Sequence, residues 1–414
     1  VKYFSYIFII LNLFTNLSCQ TSDSNTHVFF GNELLLKENI ELLKDKRVGV
    51  VTNHSAVLPN NVHLVDTLLA LGINITALFS PEHGIRGEIS DGSKISSSTD
   101  DKTGIQIFSL YGNVKKPAKE MLKNIDIILF DIQDIGARFY TYISTLYYLL
   151  QSAAENNLPV IVLDRPNPIS GLQVGGAVLD TAFKSFIGIA PIPVLYGMTI
   201  GEIAKLFVEE NFINTSGKPE LAVIKMKGWK RNYFWANIDR DWIPTSPNIP
   251  NFETALIYPG TAFIEGTNIS EGRGTEDPFL TIGAPFINSE ELINILESLQ
   301  ILGIEFSQTS FTPVNIKGKA TNPKYEEIEC YGIKFKLTDK KTFKAVEFGV
   351  YLIYSLLKLY PDNFKFKDNY FDKLAGTDKL RKDFLAGKNP SAIIRNWESE
   401  LEKFKSIRKK YLLY

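Results

Sequence analysis

The chain has 414 residues, 44% of them hydrophobic and 22% charged, and its formal net charge is −1. That length exceeds what one hydrophobic core usually holds, so two domains are expected. The balanced charge leaves no polybasic footprint for nucleic acid or for an anionic lipid surface.

The N-terminus reads as a targeting segment. Lys2 is followed by the apolar run Tyr3 to Phe14, too short to span a bilayer but suited to a signal-peptide core. Asn16-Leu17-Ser18-Cys19 resembles a bacterial lipoprotein cleavage site, with Asn16 where leucine is usual. We therefore read 1–19 as signal peptide and 20–27 as a polar tether. Cys19 is either lipidated or, in plain secretion, removed or left free. The other cysteine is Cys330, so no disulfide scaffold is expected despite the export signal. Nothing further along is hydrophobic enough for a transmembrane helix.

Helical spacing runs from Asn32 to Leu43, and Arg47 to Asn53 reads as a first buried strand. A helix from Leu64 to Leu71 leads to a strand from Ile73 to Phe79. Next come a short strand, Ile105 to Leu110, a helix near Pro117 to Lys123, and the apolar strand Ile125 to Asp131. A long helix from Phe139 to Asn156 precedes a strand from Pro159 to Asp164. A strand over Pro191 to Tyr196, a helix over Thr199 to Glu210 and a strand over Leu221 to Met226 extend the layer. Strands apolar on both faces, alternating with helices, indicate an α/β domain with a parallel sheet covered on both sides. Trp242 to Gly260, with four prolines, reads as a long structured loop. The remainder is expected to be α+β. Its helices are placed at Ser289 to Leu302, Thr342 to Leu359, Lys373 to Leu385 and Pro390 to Lys410, and its strands near Ile304 to Phe311 and Ile328 to Leu337.

Several strands end in polar clusters, and in a parallel sheet those ends share one edge, where ligands bind. The clusters are Asn53-His54, Pro81-Glu82-His83, Asp131-Ile132-Gln133-Asp134 with Arg138 beyond, and Asp164-Arg165-Pro166-Asn167. Pro81 cannot continue a ladder, and Gly84 and Gly87 permit the turn that carries Glu82 out of the sheet. A second polar wall is expected from Glu265 to Phe279, which contains Glu271 and Arg273 in a glycine-rich run. Arginines number ten of the 45 basic residues. Four of them (Arg86, Arg138, Arg165, Arg273) fall in these loops, where a planar fork is useful. Each residue taken singly also fits a turn or a helix cap.

The dinucleotide fingerprint, the phosphate loop and the Gly-x-Ser-x-Gly elbow are absent, and no cofactor is expected. A metal held by His54, His83 and Asp131 is the less favoured reading. Carboxylates, arginines, aromatics and amides suit carbohydrate instead. Glycoside hydrolysis needs one carboxyl to protonate the leaving oxygen and a second group to stabilise or attack the anomeric carbon. Glu82 is the first candidate for the acid.

Five stretches carry a family resemblance: Phe79 to Gly87, Asp131 to Tyr142, Asp164 to Pro168, Ser246 to Pro250 and Glu271 to Thr275. They resemble the NamZ-like exo-β-N-acetylmuramidases, long catalogued as a bacterial domain of unknown function. The resemblance, from about Val48 onward, implies a Rossmann-like domain without nucleotide, placed here at 28–235. It also implies a smaller domain, 236–414, closing a cleft, and release of terminal N-acetylmuramic acid from peptidoglycan fragments in the periplasm. Its Pro-Glu-His-Gly motif puts the catalytic glutamate at Glu82, with Glu271 ranked as second carboxylate unless the substrate acetamido group serves. Expected substrate-binding residues are His54, His83, Arg86, Asp131, Gln133, Arg138, Tyr142, Asp164, Arg165, Asn167 and Arg273. One of the four arginines is expected to hold the lactyl carboxylate. Tyr196 stands where the family often has histidine and receives no role. A peptidoglycan-binding lipoprotein without turnover and a metal-dependent hydrolase are the alternatives.

Overall fold

The computed structural model describes residues 27–82, 84–86 and 98–414. Cys19 and the signal segment lie outside them, as does His83. Seven strands form the larger sheet: β1 (Val48–Thr52), β2 (Ile75–Ser80), β3 (Ser98–Thr99), β4 (Gln106–Ser109), β5 (Ile127–Asp131), β6 (Val160–Leu163) and β7 (Leu221–Ile224). Their order is β3-β4-β2-β1-β5-β6-β7, and every neighbouring pair is parallel except β3–β4. Counting only the six parallel strands in chain order gives 3-2-1-4-5-6, the order of a Rossmann domain.

Strand periodicity explains how both faces become covered. Successive side chains of a strand point to opposite faces. Ile128 and Phe130 of β5, with Val160 and Val162 of β6, join one core, beneath the helices Tyr142–Asn156 and Ile200–Glu209. Ile127 and Leu129, with Ile161 and Leu163, join the other, with Leu64, Val65 and Leu68 of the helix Leu64–Ala70. The first of these cores runs on into the second domain.

That smaller domain is built on an antiparallel sheet of order β8-β10-β9, from β8 (Thr281–Ala284), β9 (Ile304–Phe311) and β10 (Cys330–Leu337). The helices Ser289–Ser298 and Ala345–Leu359 pack on it through Leu292, Leu296, Phe348 and Leu352. No helix among the described residues is long and apolar enough to cross a membrane.

Local pattern misleads at several points. Pro191 to Tyr196 is buried but forms no strand; Leu195 makes isolated bridges to Ala137 and Gly175. An apolar run reports burial here, not a ladder. The expected loop at 242–260 ends in a helix, Phe252–Thr261, with Pro259 inside it. Its Asn251 cap (side chain accepting from Thr254 N at 2.8 Å) and its buried apolar residues outweigh the proline. The helix expected over Asn32 to Leu43 is three short turns of different pitch. The stretch Lys373 to Leu385 breaks at Gly376, which takes a left-handed conformation between the helices Asp368–Ala375 and Lys379–Leu385.

Candidate active site

Strand β2 ends at Ser80, and Pro81 stops the ladder. The chain then turns through Gly84, whose φ of 75° is left-handed and whose N–H donates to Pro81 O at 3.3 Å. This turn carries Glu82, half-buried, to the wall of a cavity of about 410 Å³. The hydroxyl of Thr141 donates to Glu82 Oε2 at 2.9 Å. Thr141 is the N-cap residue of the helix Tyr142–Asn156, yet its side chain caps no backbone amide. A cap threonine normally spends its oxygen that way. Here the hydroxyl turns to the Glu82 carboxyl, at the start of the helix.

The second domain supplies the rest of the cavity. Glu265 lies in the 3₁₀ turn Ala262–Gly266, and the chain then loops through Glu271, Gly272 and Arg273. Gly272 has a φ of 77°, and a Cβ there would come within 2.7 Å of Thr281 O, so the loop needs glycine to bring Glu271 in. Arg273 bonds Glu265 at 2.9 Å and lies 3.4 Å from Glu271, with its guanidinium over the Phe279 ring. Lys324 approaches the other Glu271 oxygen at 2.9 Å. Phe279 itself holds a φ of 63°, a strained conformation for a bulky residue of the kind that gathers at functional sites.

These surroundings push the two carboxyls apart. Burial drives Glu265 up, only partly offset by Arg273, and the charge of Glu271 adds to the rise. Burial acts on Glu271 too, but Lys324 and Arg273 outweigh it and hold Glu271 below the usual glutamate range. Two neighbouring carboxyls moved in opposite directions are a pattern that suits acid–base work. The Tyr370 phenol, on the same cavity, is pushed up by Glu265 and by burial and so remains a donor.

Of the residues expected at the site, Glu82, Tyr142, Glu271 and Arg273 line this cavity. Tyr142 donates to Thr245 O at 2.6 Å and Tyr140 to Thr245 Oγ1 at 2.8 Å, which holds the Ser246 to Pro250 stretch against the wall. The others lie elsewhere. Arg138 is fully buried and donates to the carbonyls of Ala177, Ile192 and Leu374, at 2.7, 2.9 and 3.0 Å. It braces the cavity-lining Leu374 from behind. Asp164 accepts from Gly201 N, Thr199 and Tyr414 and caps the helix Ile200–Glu209, while Asn167 bonds Met198 O. Arg86 pairs with Asp100 and Asp66, and His54 Nε2 lies 2.6 Å from Pro244 O.

Arg165 and Asp131 form a buried bidentate pair at the crossover between β5 and β1, the place where Rossmann sheets receive a nucleotide. Asn32 packs against this pair, donating to Asp131 at 3.4 Å and to Val57 O at 3.2 Å. Gln133 and Arg165 line a separate cavity of about 420 Å³ with Phe30 and Trp235. The expected single rim is thus two cavities. Among the described residues no cluster of three His, Cys, Asp or Glu side chains could hold a metal ion. Thr141, Lys324 and Tyr370 escape the sequence reading, and Glu265 enters it only as the start of the polar wall, without a role. Thr141 sits within a quoted motif, whereas nothing local marks Lys324 or Tyr370.

A Rossmann-like sheet joined to a smaller domain across a carboxylate-rich cavity defines a two-domain α/β protein equipped for acid–base chemistry on a polar ligand. The comparisons narrow this class. Residues 48–253 match the model described as exo-β-N-acetylmuramidase NamZ, N-terminal, and 256–414 match its C-terminal counterpart, so the chain belongs to the NamZ family. It is 45% identical over 386 residues to the peptidoglycan β-N-acetylmuramidase NamZ of Bacillus subtilis, covering 93% of this chain and 91% of that protein. Two crystal structures of DUF1343 family proteins from Bacteroides fragilis superpose with TM-scores of 0.86 and 0.75, at 34% and 35% identity. Each covers 94% of this chain and 99% of its own.

Proposed function

We propose that this protein is an exo-acting glycoside hydrolase that releases terminal β-N-acetylmuramic acid from the non-reducing ends of peptidoglycan fragments. One observation carries the reading: Glu82, from the first domain, shares a cavity with Glu271, Glu265 and Arg273 from the second. The cavity volume falls within the range of small-ligand sites.

In this reading Glu82 donates its proton to the glycosidic oxygen as the bond from C1 to that oxygen breaks. Positive charge develops at C1 and is met by Glu271 or by the substrate's own acetamido oxygen; water then attacks C1, leaving its hydroxyl there and giving its other proton back to Glu82. Tyr142 and its neighbour Tyr140, both buried and bonded to Thr245, form the aromatic base of the cavity beneath the sugar. The catalytic domain spans 28–235 and the closing domain 236–414. The apolar segment at 1–19 supports export, to the periplasm, with Cys19 as a lipid anchor in the lipoprotein form of the proposal.

Nitrophenol release from the 4-nitrophenyl β-glycosides of N-acetylmuramic acid and N-acetylglucosamine tests the reading. The muramide should be cleaved faster by at least about tenfold. Binding of saccharide without release from either compound would leave a carbohydrate-binding module and overturn it.

A further inference from the structure

The cavity contains four cationic side chains, Arg273, Lys319, Lys324 and Lys367, beside the carboxylates Glu82, Glu265 and Glu271. Two of the cations are committed within the protein. Arg273 pairs with Glu265 and Glu271. Lys324 donates to Ile264 O at 2.9 Å and Ile269 O at 2.8 Å, and its ammonium lies 2.9 Å from Glu271. The arginines expected to hold an anionic substrate group are likewise engaged: Arg86 by Asp100, Arg138 by three carbonyls and Arg165 by Asp131.

Lys367 differs. Its backbone is pinned beside the carboxylate loop, with its N–H donating to Gly266 O at 2.8 Å and the preceding residue, Phe366, bridged to Thr267. Asn268 N and Lys365 O, 3.0 Å apart, extend the same contact. Its ammonium makes no hydrogen bond or ion pair among the described residues. Desolvation at the cavity and the charge of Lys324 lower its proton affinity, although Glu271 and Glu265 pull the other way; the exposed ammonium is accessible to an incoming anion. Lys319, exposed like Lys367, also makes no ammonium contact among the described residues, but it lies on a separate loop, which Asn248 holds through Lys319 O at 2.9 Å, and its backbone is not tied to the carboxylate loop.

We propose that Lys367 is the specificity residue that reads the carboxylate of an acidic sugar, and so sets the preference of this cavity for a 3-O-lactyl hexosamine over a neutral one. This rests on the muramidase reading above and names the group that recognises its substrate. A charge-assisted contact from one lysine acts as a point charge, without the planar fork of arginine, so arginine should replace it in part.

Initial rates would be measured on 4-nitrophenyl β-N-acetylmuramide and on its neutral lactyl methylamide, with wild type, K367M and K367R. Wild type should prefer the free acid. In K367M kcat/KM on the acid should fall by about 10- to 100-fold, mostly through KM, and the acid-over-amide preference should collapse toward unity. K367R should recover part of the preference. Equal losses on both substrates, or a preference left intact in K367M, would overturn the assignment, as would a wild type that does not distinguish acid from amide. A folded wild type that cleaves neither compound would overturn the muramidase reading itself, an outcome separate from all of these.

Discussion

Thr141 turns its hydroxyl away from the helix it begins and donates it to Glu82 Oε2 at 2.9 Å. The bond joins the turn after β2 to the start of the long helix after β5, and it fixes the carboxyl at the cavity wall.

Thr141→Val keeps the shape of the side chain and removes the donor. Because the hydroxyl does no capping, fold stability should change little. A hydrogen bond to a group that changes charge during the reaction is worth on the order of 1.5 kcal/mol, so kcat/KM should fall by about tenfold. Steady-state rates beside thermal melts check this, and Thr141→Ser should restore the rate. A variant that melts early yet turns over normally when folded would assign Thr141 a purely structural role.

Asp134 offers a test of the fold's dependence on pH. It is buried, its Oδ2 accepts from Gly136 N at 2.8 Å and from the Tyr196 hydroxyl, and burial pushes its carboxyl up to about 6 from an ordinary 3.8. The folded chain therefore holds this proton more tightly than the unfolded chain. Its contribution to stability is fully present below about pH 4 and is lost as pH rises through 6. Asp134→Asn cannot ionise, so its stability relative to wild type should improve between pH 4.5 and pH 7.5, by on the order of 2 kcal/mol. Urea unfolding midpoints at the two pH values measure the difference, and a pH-independent gap would contradict this assignment.

How far the sequence was legible follows from which residues signal locally. Strands β1 and β5 announce themselves because they are buried on both faces, and a two-sided apolar run has few other uses in an α/β chain. Pro81 and Gly84 mark the Glu82 turn because each constrains the backbone within four residues. Arg138 is the opposite case. In a loop at a strand end it reads as a substrate fork, yet its partners Ala177, Ile192 and Leu374 lie 39 to 236 residues away, beyond any local pattern. Asp131 and Arg165 read as sharing one rim with Glu82, but Arg165 lines a second cavity, and Asn32, from a segment before β1, donates to its partner Asp131. Lys324 and Lys367, two among many lysines, gain significance only when a distant loop brings them beside Glu265 and Glu271.

The most direct measurement is the rate of Glu82→Gln on two substrates that differ only in leaving group. Natural saccharides need the departing oxygen protonated, and on them the folded variant should lose roughly two to four orders of magnitude in kcat/KM. The 4-nitrophenyl glycoside leaves without protonation and should lose far less. Equal losses on both substrates, in a variant that melts like the wild type, would contradict Glu82 as the general acid and move the proton donor elsewhere in the cavity.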